Sequence, residues 1–142
     1  MNTKNMKINY RIILSFVLAL SVLSCSEDDL DINALTDFAP GILEITPGDG
    51  NKVVKGDFDI VARFVDGTVS PLAEGTLKLM DIDGNEIASV SQTLNGTADS
   101  VMLAASDFNA AELELGMYQL EATATDVKGQ ITTYSGTFEI SS

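Results

Sequence analysis

The sequence predicts an all-β domain, an antiparallel two-sheet β-sandwich of about seven short strands that begins near residue 41 and runs to the C-terminus. Three observations carry this expectation. Stretches in which apolar and polar residues alternate recur from residue 42 onward. Clusters of Gly, Asp and Asn punctuate them at even spacing. No long segment repeats at the helical period, so the one helical turn in the chain is too little for an α/β fold.

The first strand is expected at residues 42–46, closed by Pro47-Gly48-Asp49-Gly50. Residues 53–65 follow, broken near Gly56, with Phe58, Ile60, Ala62 and Phe64 alternating with Asp57, Asp59, Val61 and Arg63 until Asp66-Gly67 stops them. A loop holding Pro71 and Gly75 leads to a strand at 76–80 with Leu77 and Leu79 on one face. Residues 81–86 turn the chain, helped by Asp83-Gly84, and 87–93 return it. Asn95-Gly96 makes the next turn, and 98–104 a strand with Val101 and Leu103 inward. Asn109, with Glu112 three positions on, marks a short capped helical turn. The clearest strand opens at Leu115-Gly116-Met117-Tyr118 and sends Tyr118, Leu120, Ala122 and Ala124 to one face. Asp126-Val127-Lys128-Gly129 connects it to a last strand at 130–140, with Tyr134, Phe138 and Ile140 inside.

The tyrosine that follows the corner Leu115-Gly116-Met117 resembles the tyrosine corner of immunoglobulin-like domains. That resemblance implies a hydroxyl bonded back to nearby backbone and an immunoglobulin-like arrangement of the two sheets.

Ahead of the domain stands the apolar run of residues 12–23, IILSFVLALSVL. It is too short for the roughly 20 residues of a spanning helix and suits the core of a secretory signal. Lys4, Lys7 and Arg11 form its basic flank, and Val22-Leu23-Ser24-Cys25 closes it. The closing residues resemble the lipobox of bacterial lipoproteins, which implies cleavage before Cys25 and acylation, palmitate included, of that cysteine. A plain secretory signal or an anchor helix is the alternative. Ser26-Glu27-Asp28-Asp29 resembles the export tag of surface-exposed lipoproteins of Bacteroidetes, and an ordinary acidic spacer is its alternative. The expected domains are thus a signal peptide at 1–24, an acidic tether at 25–40 and the sandwich at 41–142.

Composition excludes several functions. After residue 24 the chain has five basic residues against 21 acidic ones, a net −16 that repels phosphate backbones and speaks against nucleic-acid binding. Cys25 is the lone cysteine, so packing rather than a disulfide must hold the fold. There is no histidine, which removes the usual general base and the commonest metal ligand. A non-enzymatic protein is the expectation, since a small sandwich with short loops seldom builds the cleft that separates the pKa values of paired carboxylates.

No cofactor is expected, with Ca²⁺ as the one ion for which the sequence offers ligands. Asp81, Asp83 and Glu86 present hard oxygen donors at alternating positions, without the twelve-residue spacing of an EF-hand. In a sandwich of this order Asp66 and Asp126 fall at one end and Asp49, Asp81 and Asp83 at the other, and either end offers a place for a cation. A sugar platform is weakly supported, because tryptophan is absent and only Phe38 and Phe108 lie outside the strands. Asp99-Ser100-Val101 resembles the O-glycosylation sequon of Bacteroidetes, and Ser100 is otherwise an outward strand residue. The expected function is a lipid-anchored outer-membrane module, facing outward, that binds an extracellular ligand or protein partner or acts as a spacer, as an accessory to nutrient capture or adhesion. A periplasm-facing scaffold is the alternative.

Overall fold

The computed structural model describes residues 37–142. Eight strands follow in order: β1 (Gly41–Thr46), β2 (Lys52–Val54), β3 (Ile60–Val65), β4 (Leu72–Asp81), β5 (Glu86–Thr93), β6 (Ala98–Leu103), β7 (Gly116–Asp126) and β8 (Ile131–Ser141). Two 3₁₀ turns, Ala105–Asp107 and Ala110–Glu112, lie between β6 and β7. One sheet has the order β1-β3-β6 and the other β2-β8-β7-β4-β5. All pairings are antiparallel except β2 with β8. This is the immunoglobulin-like sandwich, in which the first strand divides between the two sheets and the last two strands form the centre of the larger one.

Alternation builds the core. Ile60, Ala62 and Phe64 of β3 and Val101 and Leu103 of β6 face Leu77 and Leu79 of β4, Leu120, Ala122 and Ala124 of β7, and Phe138 and Ile140 of β8, all buried. Phe58, just outside β3, stands edge-on to Phe108 and Phe138 with ring centroids 5.5 and 5.9 Å away. The Tyr118 hydroxyl donates to the Glu114 carbonyl at 2.9 Å, and its ring stacks on Phe138 at 5.8 Å. That bond ties the corner before β7 to the strand it opens.

The structure departs from the sequence reading in four places. The strand expected at 53–65 is two, β2 and β3, which lie on different sheets and are parted by residues 55–59 around the break expected near Gly56, so the described residues form eight strands. Gly75 lies inside β4 rather than in a loop. A Cβ at that position would stand 2.6 Å from Val101 Cγ2 and 2.9 Å from Leu94 Cδ1, so the strand needs glycine there for want of room. The turn at Ala110–Glu112 forms, yet Asn109 takes a left-handed conformation and makes no side-chain cap. Tyr134 is only half-buried, its ring folded over Gly136 two residues along the strand.

Candidate functional site

The strand directions give the sandwich two ends. At one end lie residues 37–40 and the connections 66–71, 94–97 and 127–130; at the other lie the turns at 47–50 and 81–85, the stretch 104–115 and the C-terminus.

Asp66 and Asp126 meet the first end from opposite sheets. Asp126 closes β7 at an inward register position and is 2% exposed. Its Oδ1 accepts the amides of Lys128 at 2.8 Å and Gln130 at 2.9 Å, which is why Asp suits the head of this hairpin. Asp66 follows β3, and its Oδ1 accepts the Gly67 amide at 2.7 Å. In both residues the second oxygen, Oδ2, is buried without a hydrogen-bond partner. Burial, with the nearby charges of Asp126 and Asp37, pushes the Asp66 carboxyl above the ordinary carboxylate range.

Asp37 closes the group from the incoming chain. Its Oδ1 accepts the hydroxyl of buried Ser70 at 2.5 Å, and its Oδ2 pairs with Lys128 Nζ at 2.6 Å. The hydrogen bond from Lys128, followed by that from Ser70, holds the Asp37 carboxyl below its usual value. Asp37, Ser70 and Lys128 had no signal in the sequence: the partners lie 33 and 91 residues apart.

At the opposite end Asp81 organises its own turn. Its Oδ1 accepts the amides of Asp83 and Asn85, each at 2.9 Å, and its Oδ2 accepts Asn85 Nδ2 at 2.7 Å. These bonds, led by that from the Asn85 side chain, lower its pKa. Glu86 accepts the Ser89 hydroxyl at 2.7 Å, and Asp49 accepts the Thr137 amide at 2.8 Å. Asp81, Asp83 and Glu86 therefore sit in a turn whose lead carboxylate is already satisfied by the protein. Among the described residues no three His, Cys, Asp or Glu side chains converge as a metal cage.

Ser100 is exposed on β6 opposite Arg63, beside a shallow depression of about 150 Å³ lined by Leu43, Arg63, Val65 and Ala98. The Asp99 of that triplet is structural: it accepts the Asn95 amide at 2.9 Å and the Ser100 amide at 2.8 Å. Of the two aromatics outside the strands, Phe108 is buried in the core and unavailable to a sugar, whereas Phe38 is exposed. Ile82, Leu115 and Met117 stand exposed at the end away from Asp37. Cys25, Ser26, Glu27, Asp28 and Asp29 lie outside the described residues.

No family model and no curated protein matches the sequence. Among solved structures, the chain is similar to CopC from Methylosinus trichosporium OB3b, with TM-score 0.55 and 17% identity over 71% of this chain and 92% of that one. It is also similar to dimeric latent PorU from Porphyromonas gingivalis, with TM-score 0.54 and 12% identity over 79% of this chain. The chain spans 11% of PorU's length. At these identities the likeness is one of fold, that of a small β-sandwich domain.

Proposed function

We propose that this chain is a non-catalytic, lipid-anchored module of the outer membrane, displayed at the cell surface, that holds a binding surface away from the bilayer. The observation that carries the reading is where the chain enters the fold. Asp37 docks beside Ser70 and Lys128 at one end, where Phe38, Val127 and Ile131 are exposed, and the exposed apolar side chains Ile82, Leu115 and Met117 stand at the other, away from the docked segment. An anchor at Cys25, followed by the residues that resemble an export tag, then presents the far end and the two sheet faces to whatever the protein meets. From Cys25 to the docked Asp37 the chain can reach about 40 Å at most, at roughly 3.3–3.6 Å per residue. Two or more acyl chains on Cys25 make such attachment permanent.

A role without chemistry is supported by what the polar groups already do. The carboxylates of Asp49, Asp81, Asp99 and Asp126 each accept backbone amides that close turns or join segments, and the chain has no histidine. The partner we assign is a protein or extracellular ligand that reads an exposed apolar tip or a sheet face.

Protease treatment of intact cells tests this reading. Digestion of the native protein on whole cells, with membrane association lost in Cys25→Ala, is the expected result. Protection until the outer membrane is opened would overturn surface display and turn the chain into a periplasmic scaffold. Unchanged membrane association of Cys25→Ala would overturn the anchor.

A further inference from the structure

We propose that the end of the sandwich beside Asp37 holds one hard divalent cation of the calcium type, bound between Asp66 Oδ2 and Asp126 Oδ2. Each of these carboxylates uses one oxygen to close its own turn and keeps the other buried and unpartnered. A buried carboxylate oxygen with no donor is costly, and here two such oxygens come from opposite sheets to one end of the core. Asp126 is 2% exposed, so bulk solvent does little to lower that cost.

Charge and donor type identify the ligand. Asp37, Asp66 and Asp126 against Lys128 leave two negative charges uncompensated at this end, the charge of a divalent ion. Both unpartnered donors are carboxylate oxygens. That set suits Ca²⁺ or Mg²⁺ and not the softer transition metals. Mg²⁺ demands a near-ideal octahedron and gives up its waters reluctantly, which suits a buried pair of carboxylates poorly, whereas Ca²⁺ accepts irregular shells completed by carbonyls and water. The ion would also neutralise the repulsion that Asp37 feels from Asp66 and so fix the incoming chain to the sandwich.

The test uses the full chain in detergent, stripped with chelator and then titrated with CaCl₂, with MgCl₂ and NaCl controls at constant ionic strength. The expected result is one Ca²⁺ per chain by calorimetry and a saturable rise in melting temperature. At a free Ca²⁺ concentration of about 100 Kd the folded-to-unfolded ratio should rise about 100-fold. Asp126→Asn and Asp66→Asn should abolish the Ca²⁺ shift, while Asp83→Asn, in the turn at the other end, keeps it. Without metal, the two Asn variants should melt higher than the wild type, because an amide replaces one of two opposed carboxylates. This crossover, higher without Ca²⁺ and lower with it, is a signature that simple misfolding does not produce. No calorimetric binding to the wild type, or a Ca²⁺ shift retained in Asp66→Asn, overturns the proposal. So does a melting temperature that Ca²⁺ leaves unchanged at every pH while it falls as pH rises, which would assign a shared proton to the two oxygens instead. Equal response to Mg²⁺ and Ca²⁺ overturns the calcium assignment.

Discussion

Gly75→Ala replaces one hydrogen with a methyl group in the middle of β4, and the structure says what that methyl meets. Its Cβ would fall 2.6 Å from Val101 Cγ2, 2.9 Å from Leu94 Cδ1 and 3.2 Å from Leu94 Cγ. Comfortable carbon–carbon contact is about 3.5–4.0 Å, so the overlap with Val101 is about 1 Å. Neither neighbour is a free tip. Val101 is fully buried on β6, and Leu94 is 2% exposed with its amide bonded to the Ala73 carbonyl at 2.9 Å. Overpacking of this kind costs about 1–3 kcal/mol. For a domain near 100 residues that lowers Tm by about 5–20 °C, at roughly 4–8 °C per kcal/mol. Urea unfolding followed by circular dichroism reads the effect as a lower midpoint at unchanged slope. The decisive variant is the double mutant Gly75→Ala/Val101→Ala, in which the new methyl enters the space the valine leaves. Its destabilisation should fall short of the sum of the two singles by about 0.5–3 kcal/mol. A Gly75→Ala protein within about 0.5 kcal/mol of wild type, or strict additivity in the double mutant, would falsify the close approach of the two sheets at this point.

Two further outcomes follow from the hydrogen bonds. Tyr118→Phe keeps the ring against Phe138 but removes the donor to the Glu114 carbonyl, and the urea midpoint should drop by the equivalent of about 0.5–1.5 kcal/mol; an unchanged midpoint would mean that the corner bond adds nothing. Asp37 and Asp81 have pKa values lowered below 3.8 in the folded protein, so their stabilisation is complete above that value and is lost as pH falls through the folded pKa. Melting curves taken downward from about pH 4 should show a steepening loss that Asp37→Asn and Asp81→Asn each make shallower. Asp66, raised by burial, acts in the opposite sense: in metal-free buffer it lowers stability as pH rises from 3.8 through its folded value.

What the sequence made legible is what depends on neighbours in the chain. The alternation of Ile60, Ala62 and Phe64 is local, and so is the turn chemistry of Asp81 and Asp126, in which a carboxylate accepts amides two and four residues on. Tyr118 belongs to the same class, since its partner is four residues away. Gly75 misleads because glycine near Pro71 reads as loop, whereas its reason for being glycine lies 19 and 26 residues away in Leu94 and Val101. The acidic end shows both sides of this divide. Asp66 and Asp126 were legible as residents of one end, because strand parity alone places them there. Their unpartnered oxygens, and the Ser70 and Lys128 that hold Asp37, arise only once the sheets close over one another. Asn109 carries the right residue and spacing for a helical cap, but a turn of three residues presents too few amides to reward it.

The charges of this domain cannot be what holds it together. Four of its cations meet one acid each, in the pairs Lys52–Glu139, Arg63–Glu44, Lys78–Glu121 and Lys128–Asp37. The first three are cross-strand pairs at the surface, each worth about 0–1 kcal/mol and screened by salt. With 21 acids in the chain, most carboxylates repel one another, and that repulsion is tolerable where side chains stand in water. It is not tolerable where two carboxylate oxygens are withdrawn from solvent, which happens at Asp66 and Asp126 and at no other side chain among the described residues. Asp37 docks at the same end, and Lys128–Asp37 is the pair whose acid is most withdrawn from solvent. Electrostatic cost and the docking of Asp37 thus coincide at one end of the fold, and the cation proposed there would relieve the first and strengthen the second.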